Sequence, residues 1–267
     1  SFFGDEMIVG SFVSRLLPLL CLLILDQFKK NKLDKILLTS SLIITLFIVI
    51  LSGERVSLFY IFLFLLILIF FVNLQFKILY LISFIIVSVL IINSSVTLKE
   101  RFFQQTFEQI FSSNINDKKI TFFSIQHESH AISALKMFYD NPILGVGPKK
   151  FRYDCKKKEY NANKNQPKDF SCSTHPHNFY VQLLAETGIL GLIIPIFLFF
   201  NILKFFLRNI YYKLSNQFKK IDLKEICLYS CFLITLFPGL PTGNIFNNWL
   251  CIMFYIPLGF YIKLKRK

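Results

Sequence analysis

Apolar residues gather in seven runs along the 267-residue chain, at about 8–25, 36–51, 56–72, 76–92, 179–203, 226–240 and 245–262. At about 1.5 Å rise per residue, roughly 20 apolar residues cross a bilayer, so these runs predict seven transmembrane helices. The runs at 36–51 and 226–240 are short, and predict spans that tilt little or borrow flanking polar residues. Between the fourth and fifth runs lie 86 residues, 93–178, long enough for a small domain. Within them, 128–139 predicts an amphipathic helix, and Asp140 to Pro148 with its Pro and Gly residues a tight turn. The expected fold class is an all-α polytopic membrane protein: four helices over 1–92, a mostly helical loop over 93–178, and three helices over 179–267.

Composition agrees with the pattern. Hydrophobic residues make up 54% and charged residues 17%, which excludes an ordinary soluble enzyme, a disordered chain and a small disulfide scaffold. A net charge of +14 would suggest nucleic acid in a soluble protein, but the placement of the charges points elsewhere. Lys29, Lys30, Lys32 and Lys35 follow the first run, and Lys77 lies between the third and fourth. Lys204, Arg208, Lys213, Lys219, Lys220 and Lys224 follow the fifth, and Lys263, Lys265, Arg266 and Lys267 the last. With alternating spans all fifteen fall on one side, whereas the short loops opposite hold only Arg55. The positive-inside rule then puts the C-terminus in the cytoplasm and 93–178 outside. Ser1 to Glu6 lack the basic region and cleavage site of a signal peptide, and the chain is expected to be the C-terminal part of something longer.

The loop 93–178 carries thirteen Lys/Arg against eight Asp/Glu and all four histidines, His127, His130, His175 and His177. Such a basic surface would attract an anionic lipid head or a phosphorylated substrate, or is simply solvated, the commoner meaning of Lys156-Lys157-Lys158. Cys155 and Cys172 share this loop, and an oxidising compartment permits a disulfide worth about 3 kcal/mol; their spacing fits no compact zinc pattern. Cys21, Cys227, Cys231 and Cys251 lie in the spans as small apolar residues.

The stretch richest in chemistry is His175-Pro176-His177-Asn178. Pro176 disfavours helix at His175, so the two histidines are expected to be extended and to face one side. Asn178 is a good N-cap for the next helix, whose positive end would keep His177 neutral, as a general base requires. A lone loop histidine is more often a polar surface residue; the pairing at a helix start argues for more. His127-Glu128-Ser129-His130 is not the metalloprotease pattern, and is read as two histidines on an exposed helix face, with no metal site expected. Charges within or beside the apolar runs are costly and therefore functional candidates: Arg15, Arg55 and Glu186. Arg grips phosphate oxygens in pairs, and Arg55 and Arg101 both belong at the outer membrane surface. Pairing of Glu186 with Arg15 or Arg55 is the purely structural alternative. Gly188 and Gly191 are read as helix-packing positions.

Asp140-Asn141-Pro142-Ile143-Leu144-Gly145-Val146-Gly147-Pro148, His175-Pro176-His177-Asn178, and Leu183-Leu184-Ala185-Glu186-Thr187-Gly188 before an apolar run together resemble the signature region of the O-antigen ligase/polymerase family. The turn Ser52-Gly53-Glu54-Arg55 is similar to that family's Arg turn, and Phe3-Gly4-Asp5 to Gly10 to the segment before an earlier span. The resemblance implies a GT-C-type, metal-independent, inverting glycosyltransferase without cofactor, on the outer face of the bacterial inner membrane. It also implies about five further spans ahead of this segment.

The implied donor is a glycan on undecaprenyl diphosphate. The acceptor is lipid A–core in a ligase, another lipid-linked repeat in a polymerase, or protein Ser/Thr in an oligosaccharyltransferase, with ligation the leading reading. By the same resemblance His177 is the base and Arg55 and Arg101 contact the diphosphate; His175, a departure from the family pattern, is the rival base, and Arg15, a charge within the first run, is a further candidate diphosphate contact. A non-catalytic polysaccharide or lipid transporter is the reading from another class. It would predict internal symmetry or paired half-helices, which the sequence does not display. A sensor would need an output module, and the tail after 262 is five residues.

Overall fold

A computed structural model describes residues 8–27, 32–72, 77–111, 124–162 and 171–266, and every regular element among them is a helix. The family-like Phe3-Gly4-Asp5 segment, and Lys29, Lys30 and Lys267 of the sidedness count, lie outside the described residues.

The first four runs form α1 (Val9–Gln27), α2 (Lys32–Ser52), α3 (Arg55–Phe71) and α4 (Lys77–Asn93). After a bend of 117° the chain continues as α5 (Val96–Lys99), a π-helical turn Glu100–Gln104 and α6 (Gln105–Phe111). Then come α7 (Ile125–Asp140), α8 (Phe151–Asp154), α9 (Phe179–Leu214), α10 (Leu223–Thr235) and α11 (Asn248–Lys265). Each of the seven runs contains a helix, but that of the sixth ends at Thr235 and that of the seventh starts only at Asn248. Two helices, α1 and α9, are long and apolar enough to cross a membrane, or three with the bent pair α4 and α5–α6; α2 and α3 are shorter apolar helices.

The chain divides into two compact units, 1–102 with 201–236 and 253–267, and 103–200 with 237–252. In the first, α1 packs against α2, α3 and α10. Leu17, Cys21, Ile50, Tyr60, Phe64, Ile226, Cys227 and Cys231 are nearly or fully buried there. The Glu54 carboxylate ties the turn before α3 to the start of α1, accepting from Gly10 N (2.5 Å), Ser11 N (2.9 Å) and Ser11 Oγ (2.7 Å). It thereby satisfies amide groups that a helix start leaves without partners.

The second unit has its own core of Ala134, Met137, Phe151, Cys155, Tyr160 and Ala185. Cys155 and Cys172 are joined as a disulfide with Cα atoms 5.1 Å apart. Helix α9 is broken at Gly188, which takes φ +63°, and the turn Pro142–Gly147 fills the break. An unbroken helix would bond Ile189 N to Ala185 O and Leu190 N to Glu186 O. Here Val146 N and Gly147 N donate to those two carbonyls at 2.9 Å each. Ile189 N and Leu190 N donate instead to Pro142 O (2.9 Å) and Ile143 O (3.5 Å). All four backbone groups released by the break are thus partnered by the turn. A Cβ on Gly188 would strike Ile143 O, and one on Gly145 the backbone between Glu186 and Thr187. Gly188 therefore admits a loop rather than the neighbouring helix expected from sequence, and Gly191 faces Thr187 of its own helix.

Candidate functional site

The four histidines, up to 50 positions apart in sequence, meet around His177. Its ring centroid lies 4.4 Å from that of His175, 5.1 Å from His127 and 5.3 Å from His130. Local chemistry explains how each arrives. Ser124 caps α7, its Oγ accepting from His127 N at 3.2 Å and bonding His127 Nδ1 at 2.7 Å. One turn on, His130 stacks on His177 with planes 26° apart. Instead of the exposed face expected from sequence, α7 buries His130 to 1% exposure and half-buries His127. The pairing with a loop segment so far along the chain is what local periodicity does not contain.

His177 corrects a second expectation. It is left-handed at φ +55° rather than extended, a conformation uncommon outside glycine. The neighbourhood holds it there: Thr242 N donates to His177 O at 2.7 Å, and Thr242 Oγ1 accepts from Phe179 N at 2.8 Å. Asn178 then caps α9 as expected, its Oδ1 accepting from Tyr180 N (3.0 Å) and Val181 N (3.2 Å) while its Nδ2 donates to Leu240 O (3.2 Å). Such a cap is worth about 1 kcal/mol.

His175 and His177 differ in what their nitrogens do. His175 Nε2 sits 3.2 Å from the Thr242 carbonyl, which can only accept, so Nε2 carries the proton. Its Nδ1 then accepts from Thr174 Oγ1 at 3.0 Å. Both nitrogens of His175 are engaged. Neither nitrogen of the buried His130 has a hydrogen bond among the described residues.

Burial and the neighbouring charges disfavour the charged forms of His130, His175 and His177. Desolvation, then the charges of His175, His127 and His130, push His177 down to about 3 from an ordinary 6.5. Desolvation and the neighbours His127 and His175 push His130 down to about 4. His175 is lowered mainly by desolvation, with the Arg152 charge adding to it. Arg152, absent from the sequence-based candidates, stands close to His175 on α8, which is tied to α9. Phe151 N donates to Glu186 Oε1 at 2.8 Å, and Glu186 is fully buried. Its other oxygen accepts from Gln182 Nε2 (3.0 Å), which also reaches Asn244 Oδ1 (2.8 Å). Gln182 Oε1 in turn accepts from Ile245 N at 3.1 Å. Arg152 sits at the start of a four-residue helix, where no periodic signal marks it.

In the first unit Arg101 lies in the π-helical turn and its Nε donates to Gly53 O at 3.4 Å. Its charge is close enough to repel that of Arg55. Arg15 is 1% exposed within the packing of α1 on α3: its guanidinium covers the Tyr60 ring at 4.7 Å and Nη1 donates to Ser11 O at 3.3 Å. The guanidinium is thus held by groups of α1 and α3 in this structure. Among the described residues no three His, Cys, Asp or Glu side chains are arranged to hold a metal ion.

The model of a family described as O-antigen ligase matches residues 40–196, a range that takes in Arg55, Arg101 and all four histidines. A protein of Rickettsia conorii named "Putative polysaccharide ligase" is 32% identical over 114 residues. That match covers 41% of this chain and 24% of the Rickettsia protein, so the chain meets that relative over about a quarter of its length. A family model spanning more than half of the chain, signature segments included, makes this protein a member of the O-antigen ligase family.

Proposed function

We propose that the protein transfers a glycan from a polyprenyl diphosphate, undecaprenyl diphosphate in the leading reading, to a hydroxyl acceptor at the outer face of the bacterial inner membrane. O-antigen ligation to lipid A–core is the first reading within that class. Polymerisation onto another lipid-linked repeat, or transfer to protein Ser/Thr, differs only in the acceptor. The sidedness rests on the charge count, which leaves 93–178 opposite the basic loops.

The carrying observation is His177: a half-buried imidazole held uncharged in a fixed backbone conformation, beside a histidine whose own nitrogens are both engaged. In this reading His177 takes the proton of the acceptor hydroxyl as its oxygen attacks the anomeric carbon. The carbon–oxygen bond to the diphosphate breaks on the opposite face, inverting the centre, and diphosphate leaves with the electron pair. Once its charge is balanced it is a good leaving group, the role that the family resemblance gives to Arg55 and Arg101. Arg152 adds a cation next to the histidines. A pKa of about 3 makes a weak base, but a phosphate anion close by raises an imidazole pKa. Donor binding would thus bring His177 nearer the value that suits proton transfer.

The test uses the full-length protein in a host without its own O-antigen ligase, with surface lipopolysaccharide separated as a ladder. Wild type restores long chains on the core; His177→Ala abolishes them, while His175→Ala retains a reduced ladder. Glycan left on its lipid carrier by the wild type moves the acceptor to another repeat or to protein. A full ladder from His177→Ala rejects the base assignment.

A further inference from the structure

The turn that splices α9 exposes side chains unsuited to water. Tyr139 is 75% exposed, Ile143 62% and Leu144 70%. They are not scattered: Pro142 O and Ile143 O hold the amides of Ile189 and Leu190, placing the tip of the turn against α9. There Leu190, Ile193 and Ile194 are themselves 52%, 52% and 64% exposed on a helix apolar enough to cross a membrane. The apolar surface of the turn therefore continues the lipid-facing surface of the span. Lys149 and Lys150, five and six residues past Leu144, are exposed, and are cations of the kind that bind lipid phosphates.

The backbone argues the same way. A helix broken in water could hydrate its released amides and carbonyls. This one has each of the four paired by the turn, as any dry surroundings demand, so no bare backbone group keeps that surface out of hydrocarbon. An aromatic at the rim, Tyr139, completes the pattern of an interfacial anchor.

We propose that Tyr139, Ile143 and Leu144 dip into the bilayer interface at the N-terminal end of the α9 span, with Lys149 and Lys150 at the lipid phosphates, so that this turn anchors the histidine-bearing unit to the membrane surface. The inference rests on α9 being a span and on nothing about glycan transfer.

The protein in lipid nanodiscs carrying Leu144→Trp, and separately Ile143→Trp, is read as the difference in tryptophan emission from the parent. Both sites are open, so the new ring needs no repacking. The added emission is expected to be blue-shifted, quenched by lipids brominated high on the acyl chain, and untouched by aqueous iodide. Quenching by iodide places the turn in water and overturns the proposal; insensitivity to both quenchers means that protein covers it, and overturns it equally. Ile194→Trp, within α9, separates the two readings. If bromolipid quenches there but not at Leu144 or Ile143, the anchor fails while the span stands; if it quenches at none of them, both fail.

Discussion

The imidazole of His130 lies stacked on that of His177, centroids 5.3 Å apart, while neither His130 nitrogen has a hydrogen bond among the described residues. A neutral, buried ring in that position fills space against the proposed base and cannot accept a proton without leaving a charge in the core. The native pKa values of about 4 for His130 and about 3 for His177 stand below the ordinary 6.5. Between those limits the unfolded chain binds more protons than the native one. Stability is then complete above about pH 6.5 and falls as pH drops toward 4. His130→Phe, which keeps an aromatic ring there without the proton site, should flatten that loss, read as melting temperature against pH in detergent. An unchanged acid slope would show that His130 takes no part in it.

Activity should carry a different pH signature. The kcat/KM profile reports the free enzyme and kcat the complex with substrate. With His177 held down to about 3 in the ligand-free state, its acid limb in kcat/KM should lie below that in kcat, where the bound diphosphate pulls the pKa up. Coincident limbs near 6.5 in a purified transfer assay would contradict the proposed coupling.

Glu186 is expected to matter for structure before chemistry. Glu186→Ala strips the acceptor from Phe151 N and one from Gln182 Nε2 inside the core. A buried donor left unsatisfied costs about 1–3 kcal/mol. Melting temperature should drop, and α8, which carries Arg152, should lose protection against amide exchange. Melting like wild type, with exchange at Phe151 and Arg152 unchanged, would rule out the anchoring role.

At Gly188 the backbone is left-handed and the turn's carbonyl occupies the space of a Cβ. Gly188→Ala combines about 1–3 kcal/mol of strain with that collision, and should free the turn 142–147. Proteolysis within the turn is the readout: faster cutting than wild type is expected, and equal rates would contradict the splice.

Reduction of Cys155–Cys172 opens a loop of 17 residues. The chain-entropy relation gives about 3 kcal/mol for such a loop, so a reductant should lower the melting temperature of the wild type while leaving that of Cys155→Ser/Cys172→Ser unmoved.

The seven apolar runs, the cap at Asn178, the helix around His130, the turn at Asp140–Pro148 and the Cys155–Cys172 pair were legible because each depends on neighbours within a few residues, or on compartment and spacing. Apolar periodicity sets a helix, an amide acceptor sets its start, and Pro and Gly set a turn. The charge asymmetry is local in the same sense, since it is a count along the chain.

Tertiary structure alone decided what meets what. His127 and His130 read as a surface pair until α7 is laid against His177, because a helix period says which residues share a face and not what covers it. His177 is left-handed because Thr242, 65 positions later, bonds its carbonyl. The same holds for Arg152, brought beside His175 by a hydrogen bond from Phe151 to a carboxylate 35 residues away. The broken α9 survives because a turn some forty residues earlier supplies the four partners it lacks. Each of these is a long-range pairing of polar groups in a dry interior. Their free energy comes from satisfying a partner that no local stretch of sequence contains.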